Sequence, residues 1–178
     1  GLAIAKAANL PLRISQFEIL LAETAAADRQ EGVAADHFTR AREAEATATA
    51  PFLRVLLLVS IGLENTRSGE LDQAAGHFVS ALGIAREHGL VRWEVWASAY
   101  AGLIEVLRGG STVKLEDAAL RVDLDEPLLL LIPLFAAIAG SRVARSLLDE
   151  GLVRAARPTR EARWLPSYVE ACTAAVEH

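Results

Sequence analysis

Cysteine is nearly absent: Cys172 stands alone, so an intramolecular disulfide framework is excluded and a reducing, cytoplasmic setting is expected. Lysine is almost as scarce, with Lys6 and Lys114 the only two and arginine supplying the rest of the 18 basic residues. No basic cluster is dense enough to neutralise a row of phosphates, and the net charge is −5, so direct nucleic-acid binding is not expected. Residues 1–10 lack a charged region followed by an apolar one, which argues against a signal peptide. The longest near-continuous apolar stretch, PLLLLIPLFAAIAG at 127–140, is too short to span a bilayer and contains Pro133; it reads as a buried helix. Glycine and proline are few, at 12 and 6, and strand-forming residues do not recur in alternating runs. No glycine-rich phosphate loop of the Walker or Rossmann kind occurs, so no nucleotide and no other cofactor is expected. The fold class is all-α.

What the chain does have is apolar mass. At 178 residues it is one domain, or one domain with a short appendage, and 52% of it is hydrophobic with a mean hydropathy of +0.27. A chain of this length buries about two-thirds of its unfolded surface. Much of the apolar fraction is alanine, a helix former more than a core filler. The alanine and arginine bias matches a GC-rich bacterial coding sequence. The chain opens GLAIAK rather than on methionine, as an excised piece of a larger protein would.

The segments AADHFTRA (34–41) and AAGHFVSA (74–81) agree at five of eight positions, forty residues apart. At the same shift Ala22 falls on Gly62 and Gly62 on Gly102, Gly69 on Gly109, and Leu63 on Leu103. Each unit reads as two helices. FLRVLLLVSIGLENTRSG forms the first, closed by Gly69; ELDQAAGHFVSALGIAREHGL forms the second, with Leu71, Ala74, Phe78, Ala81, Leu82 and Ala85 on one apolar stripe ended by Gly89. Close approach of two helices needs Gly or Ala on one opposite a ridge on the other. Gly62 and Gly102 would supply that dent, and Phe78, flanked by Ala74 and Ala81, the knob.

The run Gly62, Gly69, Leu71, Ala74, Phe78, Ala81 resembles a tetratricopeptide repeat (TPR). The preceding unit matches in Ala22, Ala34, Phe38 and Ala41, with Arg29 in place of the turn glycine. The third matches in Ala101, Gly102 and Gly109, after which STVKLEDAALRV recovers Leu115 and Ala118 only with an insertion of about four residues, and Val122 stands where the aromatic belongs. The forty-residue period is longer than the usual TPR period of about 34 and is similar to the long-helix TPRs of MalT-type bacterial regulators. The resemblance implies a right-handed α-solenoid of about three helical hairpins over 1–122. Residues 123–178, with Pro127 in the first turn of a helix and Pro133, Pro158 and Pro166 kinking or breaking the chain, would continue or cap it.

The resemblance also implies that first helices line a concave face. Carried across by matching positions, that face comprises Gln16, Ile19 and Glu23, then Leu56, Val59, Leu63, Thr66 and Arg67, then Trp96, Ala99, Leu103 and Val106. The strip is apolar, and such patches mark contact sites. Trp93, Trp96 and Tyr100 recur at helical spacing, which suits core packing as well as a groove. Other motifs reduce to plainer readings. Ser111-Thr-Val-Lys114 has the S-x-x-K spacing of an acyl-enzyme nucleophile, without the companion motifs. His37 and His77 share a repeat position, but successive helices lie about 8–10 Å apart, and zinc wants four ligands. No carboxylate pair stands out for acid–base work.

The expected function is a non-catalytic module that binds a protein or peptide, or a second copy of itself as a homodimer, within a bacterial signalling or transcription-regulatory protein. A small-molecule effector is the first alternative, as in a MalT-type sensor; an enzyme on a helical-repeat scaffold is the second. No metal, membrane or nucleic-acid partner is expected.

Overall fold

The computed structural model describes residues 1–122 and the isolated position Ser146. The expected helices of 123–178, and the question of whether 127–178 fills a groove, lie outside the described residues. Among the described residues there are seven helices and no strand: α1 (Leu2–Ala7), α2 (Pro11–Ala27), α3 (Glu31–Ala48), α4 (Pro51–Arg67), α5 (Leu71–Glu87), α6 (Val91–Leu107) and α7 (Val113–Leu120). None of them is long and apolar enough to cross a membrane.

The five helices α2 to α6 begin at 11, 31, 51, 71 and 91. Pro11 and Pro51 open α2 and α4 at positions where a missing N–H costs nothing and a fixed φ favours the first turn. Left-handed residues punctuate the chain at the same interval: Asn9, Arg29, Thr49, Gly69, Gly89 and Gly109 all have positive φ, between 48° and 79°. In five of these six turns the next residue donates its N–H to a carbonyl five residues back. Gln30 N bonds Ala25 O, Glu70 N bonds Asn65 O, and Leu90 N bonds Ala85 O, each at 2.8 Å. That closure satisfies orphan carbonyls at the helix end and needs a left-handed residue inside it. Arg29 keeps the geometry where glycine is missing. Thr49 is the strained exception, a β-branched residue at φ 48° with no such closing bond.

By contacts the chain forms two compact units, 1–97 and 98–178. In the first, α2 pairs along α3 and α4 along α5, while α4 also touches both α2 and α3, and α1 lies on α2. Ile19, Ala22, Phe38, Ala41, Leu53, Leu57 and Ile61 make one core cluster, backed by Phe52 and Leu56. Ala25, Ala26 and Ala34 close the α2–α3 turn. In the α4–α5 hairpin the Phe78 ring sits against Gly62 so closely that a Cβ there would stand 2.6 Å from Phe78 Cε1. Ala74 and Ala81, on either side of Phe78, are fully buried. The Phe52 and Trp93 rings stack with centroids 6.5 Å apart.

In the second unit, α6 from Ser98 onward and α7 pack closely. A Cβ on Gly102 would meet the backbone nitrogen of Leu115 at 2.8 Å, and Leu115, Ala118 and Ala119 are buried. The eight-residue α7 starts at 113, two residues later than the interval of the preceding helices.

Candidate functional site

The first-helix strip divides into residues that can meet a partner and residues that cannot. Ile19 belongs to the core cluster, Val59 and Ala99 are buried, and Leu56 backs the same core. Ile19, Val59 and Ala99 are corrected out of the contact surface, because at their register the helix faces its neighbours, while Leu56 keeps part of its surface accessible. Gln16, Glu23, Leu63, Thr66, Trp96, Leu103 and Val106 are partly accessible, and Arg67 is exposed.

The polar members of the strip are tied into the fold. Arg13 Nη1 donates to Gln16 Oε1 at 3.0 Å, and Ser60 Oγ donates to Glu23 Oε1 at 2.6 Å across α2 and α4. Thr66 Oγ1 donates to the Gly62 carbonyl at 2.8 Å, and Arg67 pairs with Glu64 at 3.2 Å. What remains for a partner in the first unit is the accessible part of Leu56, Leu63 and Trp96, and the outer atoms of Thr66 and Arg67.

A charged cluster that the sequence did not disclose holds α1, α2 and α3 together. The Glu18 side chain has no accessible surface. Its Oε2 lies 2.6 Å from His37 Nδ1, and Lys6 Nζ lies 2.9 Å from its Oε1. Burial pushes the Glu18 carboxyl up, but the contacts with Lys6 and His37 outweigh it and hold the group below the ordinary carboxylate range. Nearby Ser15, also buried, donates to the Ala41 carbonyl at 3.0 Å. A carboxylate steering an imidazole can serve catalysis when a nucleophile faces the other ring nitrogen. Here the neighbouring hydroxyl is committed to the backbone, and the cluster acts as a clamp.

His37 and His77 share a register and not an environment. His77 is held below the ordinary imidazole value by burial and by the charge of Arg42. The S-x-x-K stretch is a helix start: Val113 N–H donates to Ser111 Oγ at 3.2 Å, and Lys114 pairs with Glu105 at 3.0 Å. Among the described residues no three His, Cys, Asp or Glu side chains gather in a way that could hold a metal ion.

A second feature was invisible to the repeat pattern. Between α3 and the C-terminal half of α4 lies a cleft of about 340 Å³, floored by Phe38 and Ile61 and walled by Glu31, Arg42, Asn65 and Ser68. Helical spacing did carry a signal for it: Glu31, Phe38 and Arg42 share one face of α3, and Ile61, Asn65 and Ser68 one face of α4. No protein-family model, no curated protein and no solved structure matches this chain.

Proposed function

We propose that the chain is a non-catalytic helical-repeat module of the TPR kind, a right-handed solenoid that binds a protein or peptide segment, or a second copy of itself, through its first helices. The observation that carries the reading is the constant interval of helix starts and left-handed turns from α2 to α6, which makes the α2–α3 and α4–α5 hairpins equal in length. Equal units that stack into an array present a long surface suited to binding. The ionisable groups support binding over chemistry. Glu18 is held by Lys6 and His37, Glu23 by Ser60 and Glu64 by Arg67 of its own helix, and the hydroxyl neighbouring the Glu18–His37 pair, that of Ser15, is bonded to the backbone. Such a module serves as the regulatory or scaffolding part of a larger signalling assembly.

Recognition would rest on burial of Leu63 and Trp96, at about 25 cal/mol per Å² before the cost of association. The test is a selection of random peptides on the immobilised chain, followed by sedimentation of the chain alone. Leu63→Asp should abolish binding of the selected peptides, or dissolve the self-associated form, while far-UV circular dichroism stays unchanged. Peptides or dimers that survive Leu63→Asp would remove the strip from the proposal.

A further inference from the structure

The α3–α4 cleft differs from the first-helix strip in being chemically unfinished. Phe38 and Ile61 are each 8% exposed, enough to give the cleft an apolar floor without opening the core. Along one wall of α3, Glu31 and Arg42 have no ion-pair or hydrogen-bond partner among the described residues. The side chains of Asn65 and Ser68 on α4 are likewise unpartnered among those residues, and they supply donors and acceptors along the other wall. Glu64 also lines the cleft, but Arg67 holds it at 3.2 Å, and Arg29 lines only an adjoining hollow. Among the described residues, the charges of the lining without an ion-pair partner are therefore one carboxylate and one guanidinium, eleven positions apart on α3 and on either side of the Phe38 floor.

Their separation sets the size of what would fit. Eleven residues part Glu31 from Arg42, which is about 16 Å of helix rise. An extended chain covers that span in about five residues. A bare anion such as phosphate would find a single arginine and leave the floor wet. A purely apolar ligand would leave both charges unanswered and the hydroxyl and amide walls desolvated.

We infer that the α3–α4 cleft binds a short extended peptide segment, apolar in the middle, with a carboxylate at the Arg42 end and an amine or guanidinium at the Glu31 end. The site is separate from the Leu63 strip and does not depend on it. His77 supplies an independent reporter. Its imidazole is depressed by burial and by the Arg42 charge, so a carboxylate seated on Arg42 would cancel part of that charge and raise it.

The experiment is a ¹⁵N and histidine-side-chain NMR titration of the full chain with three pentapeptides. One carries lysine first and glutamate last with leucines between; the second replaces both ends with glutamine and blocks the termini; the third carries lysine at both ends and a blocked C-terminus. The zwitterionic peptide should bind saturably, shift the Phe38, Ile61 and Asn65 amides, raise the His77 titration midpoint, and exceed the uncharged peptide by about tenfold for each charged contact. Arg42 is exposed, so Arg42→Glu should keep the fold and transfer the preference to the doubly basic peptide, while Arg42→Gln should weaken the zwitterion without creating a new preference. Equal affinity for all three peptides, or no saturation into the millimolar range, would overturn the assignment. Shifts confined to Leu63, Thr66 and Trp96 would overturn it too, while leaving the first-helix strip standing.

Discussion

At Glu18, burial opposes the contacts made by its neighbours, and the contacts prevail because Lys6 and His37 meet the carboxylate from different helices. The carboxyl is held below its ordinary range in the fold, so its contribution to stability is complete above the unfolded carboxylate value and is lost as pH falls through the lower folded value. Glu18→Gln should cost about 1–3 kcal/mol at neutral pH, toward the low side because Lys6 is half exposed and can return to water. The same variant should flatten the acid limb of stability against pH. Urea titrations at several pH values check both, and an unchanged acid slope would show that Glu18 is not the titrating group. The sequence hid this residue for a physical reason. Glu18 lies in the run FEILLA, and the position forty residues on is Leu58, so the pattern marked a place on the helix and said nothing of a partner. His37 and His77 looked equivalent for the same reason, yet one answers a carboxylate and the other faces an arginine.

At the scale of the element, the helices were readable because their determinants are local. Glycines at 69, 89 and 109 accept the left-handed turn, and the alanine-aromatic-alanine face of α5 is a matter of spacing, whereas the starts at Pro11 and Pro51 went unread although they too are local. Contact between elements is harder, and Gly62 shows what it requires. The Phe78 ring occupies the space of the missing side chain. Gly62→Ala gains about 1 kcal/mol of helix propensity but forces the ring to move, at about 1–3 kcal/mol for an overpacked core. The single substitution should therefore be neutral to destabilising by about 2 kcal/mol, combining those two effects. With Phe78→Leu present, the same Gly62→Ala change should become neutral or stabilising, a coupling that chemical denaturation of the four proteins measures directly. Strict additivity would mean that the ring and the glycine do not interact. Gly102 is the less forgiving case, since a Cβ there meets backbone at Leu115 rather than a ring that can turn.

At the scale of the molecule, the all-helical class followed from composition, and the interval of the helices from the forty-residue correspondence. The contact strip was legible only in part. Matching positions carried Ile19, Val59 and Ala99 into it, and the structure buries all three, because a register copied from one helix to the next ignores which neighbour that face meets. The cleft beside Phe38 escaped the repeat pattern, since it depends on two helix faces coming together and on Arg42 and Glu31 making no ion pair among the described residues, neither of which such a pattern records. The proposed solenoid requires that equal hairpins follow one another by one constant rotation. Residual dipolar couplings of the backbone amides in α2, α4 and α6 give the relative directions of those three helix axes in solution. The rotation that carries α2 onto α4 should carry α4 onto α6; two different rotations would mean that equal hairpins do not make a solenoid here.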